Sequence, residues 1–136
     1  MRLHREIGLF AVGGVIGLLV DAGVVQLLVG LAGWNPYLAR VLSFLLAATV
    51  TWWWNRRHTF AARSSGRPLP AEWLHWMGLM GVGAVVNYAV YAALLLAFAG
   101  LHRWPAIPAA AGSAVAAALN FATARGMLFR RPKSAV

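Results

Sequence analysis

Asp21 is the only acidic residue inside any long apolar stretch of this chain, set in LFAVGGVIGLLVDAGVVQLLVGLAG from Leu9 to Gly33. A carboxylate deep in lipid costs roughly 2.5–3.5 kcal/mol on insertion scales, so such a group ordinarily faces a bundle interior or a polar path. It can take up a proton, accept hydrogen bonds from hydroxyls or pair with a cation. Arg40, entering the next apolar run from its opposite end, has a side chain long enough to reach inward toward it. Asn87 and Asn120 are the deep amides of the later runs, and Asn55, Arg56, Arg57 and Arg125 stand where the second and fourth runs end.

No enzymatic constellation accompanies these groups, and the chain reads as a non-enzyme without cofactor. A Gly-x-x-x-x-Gly-Lys-Ser/Thr loop for nucleotide phosphates does not occur. His4, His58, His75 and His102 lie near the ends of apolar runs and are not spaced as metal ligands. Asp21 has no local histidine with which to build a Ser-His-Asp relay. There is no cysteine, so disulfides and thiol-bound metals are excluded.

The elements that must position these side chains are membrane spans. Of 136 residues, 61% are hydrophobic and 11% charged, and the mean hydropathy is +0.68. A soluble domain this small needs far more polar surface. Four apolar runs, near Ile7–Ala32, Tyr37–Trp54, Trp73–Gly100 and Pro105–Ala124, each approach the ~20 residues of a spanning helix. The first is too long for a signal-peptide core of ~7–15 residues and lacks a small-x-small cleavage site, so it reads as an uncleaved span. The expected fold is an all-α membrane protein of four transmembrane helices, forming a single domain over residues 1–136.

Charge sets the expected topology. The net charge is +9 and the pI about 11.8, but the cations are distributed by side rather than gathered for nucleic acid. Arg2 and Arg5 precede the first run. Arg56, Arg57, Arg63 and Arg67 follow the second, and Arg125, Arg130, Arg131 and Lys133 follow the fourth. Only Arg40 and Arg103 lie on the other side, which puts both termini and the central loop in the cytoplasm. Those cations also attract anionic lipid. Trp52–Trp54, Trp73 and Trp76 mark the cytoplasmic interface, and Trp34, Tyr37 and Trp104 the outer one.

The loop RRHTFAARSSGRPLPAEW, read as flexible turn, divides the chain into two pseudo-repeated helix pairs, about 5–60 and 71–129. At an offset of 66, Glu6 falls on Glu72, Gly17 on Gly83 and Asp21 on Asn87. At 69, Arg56 falls on Arg125 and Phe60 on Phe129. Two spans per unit start both units on one side, so their symmetry axis lies along the membrane normal. Gly13 and Gly17 share the face that carries Asp21, as a small-xxx-small contact surface does.

These residues resemble the GtrA-like family of small four-span membrane proteins over about Arg5 to Arg131. The carriers are Phe10 with Gly13 and Gly14 leading to Asp21, then Asn55-Arg56-Arg57-His58-Thr59-Phe60, and Asn120-Phe121 followed by Arg125 and Phe129. Two departures stand out: Thr51-Trp52 where the family often has Asn-Phe, and His58 in place of a commoner aromatic. The resemblance implies translocation of a polyprenyl-phosphate-linked sugar across the bacterial cytoplasmic membrane, for glycosyltransferases that build surface polysaccharide outside. Under that reading Arg56 and Arg125 first hold the phosphate, because a guanidinium can make two parallel bonds to it, with Asn55 and Arg57 nearby. Asp21, Arg40, Asn87 and Asn120 then form the deeper path.

Two other readings stay open. A small multidrug-type exporter also uses four spans and an acid in the first, but needs that acid free of cations and takes a cationic substrate. A non-transporting anchor would recruit a glycosyltransferase, for which the short loops offer little surface. The glycine faces are compatible with a homodimer.

Overall fold

The computed structural model describes residues 2–104 and 106–132, without the side chains of Pro36, Tyr37, Ala106, Arg131 and Pro132. The interfacial ring of Tyr37, the Arg131 guanidinium and Lys133 of the terminal basic group therefore lie outside the described parts. Four helices carry the chain: α1 Leu3–Gln26, α2 Pro36–Trp54, α3 Leu69–Ala97 and α4 Ala106–Thr123. Three segments continue helices as wider π-type turns, Leu27–Leu31, Asn55–Thr59 and Ala124–Leu128. A 3-10 turn spans Ala99–Arg103.

Among the described residues, three helices are long and apolar enough to cross a membrane: Leu3–Leu31, Leu69–Ala97 and Ile107–Leu128. The protein is an all-helical membrane protein. Helix α2, nineteen residues with Arg40 inside and three tryptophans at its end, is not among the three. The outer surface is apolar, with Leu18, Leu19, Val85 and Leu96 exposed, as a lipid-facing surface must be.

Two boundaries differ from the sequence reading. Helix α1 begins at Leu3 rather than Ile7, and α3 at Leu69 rather than Trp73. Glu6 and Glu72 therefore sit in first helical turns, where a carboxylate meets the positive end of the helix dipole. Pro70 near the start of α3 costs no hydrogen bond there. The central loop is also more ordered than a flexible turn. Arg63–Ser64 (β1) pairs antiparallel with Arg131–Pro132 (β2), joining the loop to the segment after α4.

Helices α1 and α2 pack closely on each other, as do α3 and α4, while α2 and α3 touch less. The two pairs are joined chiefly at the end that carries the arginines. There Phe60 and Phe129 stack with centroids 5.1 Å apart and planes 16° apart. Trp76 is fully buried beside them, and Phe10 meets Phe121 edge-on at 5.4 Å. Away from this aromatic plug the pairs enclose open space.

Glycines set the approach within each pair. A Cβ on Gly17 would stand 2.5 Å from Thr51 Cγ2, and one on Gly83 would overlap the Asn120 amide. A Cβ on Gly112 would come within 2.5 Å of the Asn87 backbone oxygen, which cannot rotate away. Gly112→Ala is therefore expected to destabilise by about 1–3 kcal/mol through overpacking. Gly81→Ala, with nothing within 4 Å of the new methyl, should unfold in detergent at or above the wild-type temperature. Equal unfolding temperatures for the two variants would show that the α3–α4 spacing is not fixed at Gly112.

Candidate functional site

Between the helix pairs lies a cavity of about 310 Å³. Every helix contributes to it: Gly17 and Asp21 from α1, Thr51 from α2, Gly83 and Asn87 from α3, Asn120 from α4. A second cavity of about 150 Å³ shares Gly14, Thr51, Met80 and Asn120 with it and extends down to Asn55, Phe10 and Trp76 at the aromatic plug. Three of the four deep polar residues singled out from sequence, Asp21, Asn87 and Asn120, thus meet in one place, and Arg40 touches it only through Asp21. Their placement follows from helix period: Thr51 faces Gly17 across the first pair, and Asn120 faces Gly83 across the second.

Asp21 is held by two donors. Arg40 Nη1 donates to Oδ2 at 2.9 Å, and Ser43 Oγ donates to Oδ1 at 2.6 Å. Ser43 is fully buried and lies one turn from Arg40, so both reach Asp21 from the same face of α2. The Arg40 side chain is 61% exposed and that of Asp21 22%, so the pair borders open space rather than being sealed in packing. In the second helix pair, the positions at the same offsets carry Asn87, Ala109 and Gly112. Asn87 there packs against Gly112, and among the described residues no cation stands beside it. Asn120 Oδ1 is buried and, among the described residues, has no hydrogen-bond partner to offset its desolvation.

At the arginine-rich end, the two buried glutamates tie the helix pairs together crosswise. Glu72, 2% exposed, accepts from Trp52 Nε1 at 3.0 Å, Arg56 Nε at 3.0 Å and Ser65 Oγ at 2.6 Å. Glu6, 1% exposed, accepts from Arg63 Nε at 2.9 Å and from Arg125 Nε. The first helix of each pair therefore grips the arginine that closes the other pair. Arg56 and Arg125 are both about one-third exposed, and each is engaged through Nε. This cluster of three arginines and two glutamates keeps an excess positive charge.

The remaining sequence candidates divide. Arg57 lies exposed with its guanidinium carbon 5.2 Å from the Trp53 ring centroid, a cation–π contact. Asn55, next to Arg56 in sequence, is 1% exposed and lines the lower cavity. Its Nδ2 donates to the Thr51 carbonyl and its Oδ1 accepts from Thr59 Oγ1. It faces Gly13 because it lies one turn after Thr51, which faces Gly17, on the same side of α2.

Sequence reasoning did not identify Ser43, Ser65, Trp52 or Arg63 as partners, nor the crosswise ties. A signal was present for the ties: Glu6 with Glu72 and Arg56 with Arg125 each recur across the chain. An acid and a base that repeat together at opposite ends of a unit are natural partners.

A family model for the GtrA/DPMS transmembrane domain matches residues 9–129. Comparison with curated proteins returns no significant match.

Proposed function

The chain belongs to the GtrA/DPMS transmembrane-domain family, and from that premise we propose that it carries a polyprenyl-phosphate-linked sugar across a membrane. The observation that carries this reading is the shared cavity, where Asp21, Thr51, Asn87 and Asn120 converge inside an otherwise apolar body. A sugar's hydroxyls need such groups to cross a hydrocarbon core of about 30 Å, while the polyprenyl tail stays in lipid. The unpartnered Asn120 oxygen suits a hydroxyl donor.

In this reading α2 is the fourth span, α1–α2 and α3–α4 are repeated pairs, and both termini face the cytoplasm. The correspondence of contacts at offsets 66 and 69 supports the repeat. The arginine cluster is the entrance: the phosphodiester exchanges with Glu72 and Glu6 for the free guanidinium faces of Arg56 and Arg125. The protein acts as a carrier rather than an enzyme, in the bacterial cytoplasmic membrane, supplying glycosyltransferases on the far side. A pair of copies joined through lipid-facing surfaces is compatible with this scheme.

The test is purified protein in vesicles with labelled polyprenyl-phosphate hexose, following its movement between leaflets. Arg56→Gln with Arg125→Gln should reduce transport to the rate of protein-free vesicles while insertion persists. Glu6 keeps its ion pair with Arg63, while Glu72 keeps the hydrogen bonds from Trp52 and Ser65 but loses its counterion, so folding of the variant is checked by its unfolding temperature alongside transport. Wild-type transport by this double variant would remove both arginines from the path. Wild-type protein that fails to accelerate movement would favour the anchor reading. The exporter reading is weakened by Arg40, which occupies the acid that a cationic substrate would need.

A further inference from the structure

We infer that the groove between α3 and α4 beside Asn87 is a binding site for an uncharged sugar headgroup, a proposal that rests on the lipid-linked-sugar reading and specifies its charge class. The groove has a volume of about 330 Å³ and is lined by Ala84, Asn87, Tyr88, Tyr91, Ala109 and Ser113. That volume lies within the ~300–1,000 Å³ range of small-molecule sites. It shares Ala84 and Asn87 with the central cavity, so the two spaces adjoin.

The groove exists because of where the two helix pairs differ. On α3, residues 84, 87, 88 and 91 form one stripe of helical period, and on α4 residues 109 and 113 lie one turn apart. The corresponding positions of the first pair hold Leu18, Asp21, Ala22 and Val25, with Arg40 and Phe44 opposite. Arg40 reaches back to Asp21 there, and Phe44 lines the central cavity. The second pair has Ala109 and Ser113 instead, which opens the wall, and it gains two tyrosines on the facing helix.

The lining is chemically specific. Asn87, Tyr88, Tyr91 and Ser113 present an amide and three hydroxyls, and among the described residues no hydrogen bond engages any of these side chains. Four unpartnered polar groups at one lipid-bordered groove are costly unless a ligand meets them. An interfacial aromatic belt accounts for exposed tyrosines, but not for an asparagine and a serine turned to the same space. Hydroxyls and an amide can both give and accept hydrogen bonds, as sugar hydroxyls do. The negative ring faces of the tyrosines suit the C–H face of a pyranose. Among the described residues no arginine, lysine or carboxylate lines the groove, so a hexuronate would bring an uncompensated charge there, whereas a neutral hexose would not.

The experiment measures equilibrium binding in detergent, by calorimetry, of three short-chain probes: polyprenyl-phosphate hexose, the corresponding hexuronate and sugarless polyprenyl phosphate. Wild type should bind the neutral hexose about tenfold or more tightly than the hexuronate. Ser113→Phe, which restores the bulk of the first pair, and the Tyr88→Phe/Tyr91→Phe double variant should each weaken hexose binding about tenfold. Neither should change binding of the sugarless lipid, and Val85→Phe, off the stripe, should match wild type. Should Ser113→Phe unfold, the double tyrosine variant decides, since it removes only hydroxyls. Hexose binding unchanged in the tyrosine variant, or equal affinity of wild type for both sugars, overturns the site. Binding with this pattern in protein that moves no lipid between vesicle leaflets would instead uphold the groove and overturn the flipping reading alone.

Discussion

Glu6→Ala is expected to destabilise the protein by about 2–4 kcal/mol, more than loss of either of its arginine partners. The buried carboxylate serves two guanidinium groups, so its removal leaves both Arg63 and Arg125 without a counterion at a packed interface. Breaking a wholly buried pair costs roughly 3–5 kcal/mol. The lower figure applies here because Arg125 is about one-third exposed and can recover some solvation. Arg125→Ala leaves Glu6 with Arg63 and should cost less. Glu6→Gln keeps the shape and one acceptor but not the charge, and should fall between them. Chemical unfolding in detergent gives the ranking. If Glu6→Ala matched wild type, or Arg125→Ala proved the worse, the carboxylate would not be the centre of the tie.

The order of these effects bears on transport as well. Each glutamate belongs to one helix pair and each gripped arginine to the other, so the cluster joins the pairs where the aromatic plug also joins them. Elsewhere the pairs touch little. A phosphate that competes for Arg56 and Arg125 would loosen that joint at the moment it binds. In the proposed transport, entry of substrate and movement of the pairs would be coupled through the same four side chains.

How far sequence reached into this site depended on whether residue type survived at matching positions. Glu6 with Glu72, Gly17 with Gly83 and Asp21 with Asn87 kept type or shape, and their correspondence was legible. Phe10 with Trp76, Ser43 with Gly112 and Thr51 with Asn120 occupy matching positions with unlike residues, and these were read separately or passed over. Pairing of Asp21 with Arg40 followed from the cost of a lone charge in lipid, which leaves few partners. The Glu6–Arg125 contact joins residues 119 apart, and helical period carries no information over that distance. The inward face of Asn55 was legible from its spacing of one turn from Thr51, but its bond to Thr59 within the π-type turn was not, because hydropathy does not reveal where such a turn begins.

Asp21→Asn is expected to fold like wild type and to slow transport about tenfold or more, the scale of one hydrogen bond to a charged group. The fold should tolerate the amide because the second helix pair already has Asn87 at the matching position, with alanine where the first has Arg40. The substituted amide oxygen could still accept from Ser43 or Arg40, so geometry is kept while the charge is lost. The Asp21→Arg/Arg40→Asp double variant then separates two roles. A pair that only braces α1 against α2 works in either orientation, and the swap would restore full transport. A pair read by substrate presents a carboxylate from α1 to the cavity and a guanidinium from the far end of α2. Reversing it would put the cation where hydroxyls pass and the carboxylate where the phosphate must leave. The expected result is therefore stable swapped protein with transport still impaired, measured in the same vesicles. Full recovery would reduce Asp21 and Arg40 to a brace and leave the neutral groups Thr51, Asn87 and Asn120 as the path.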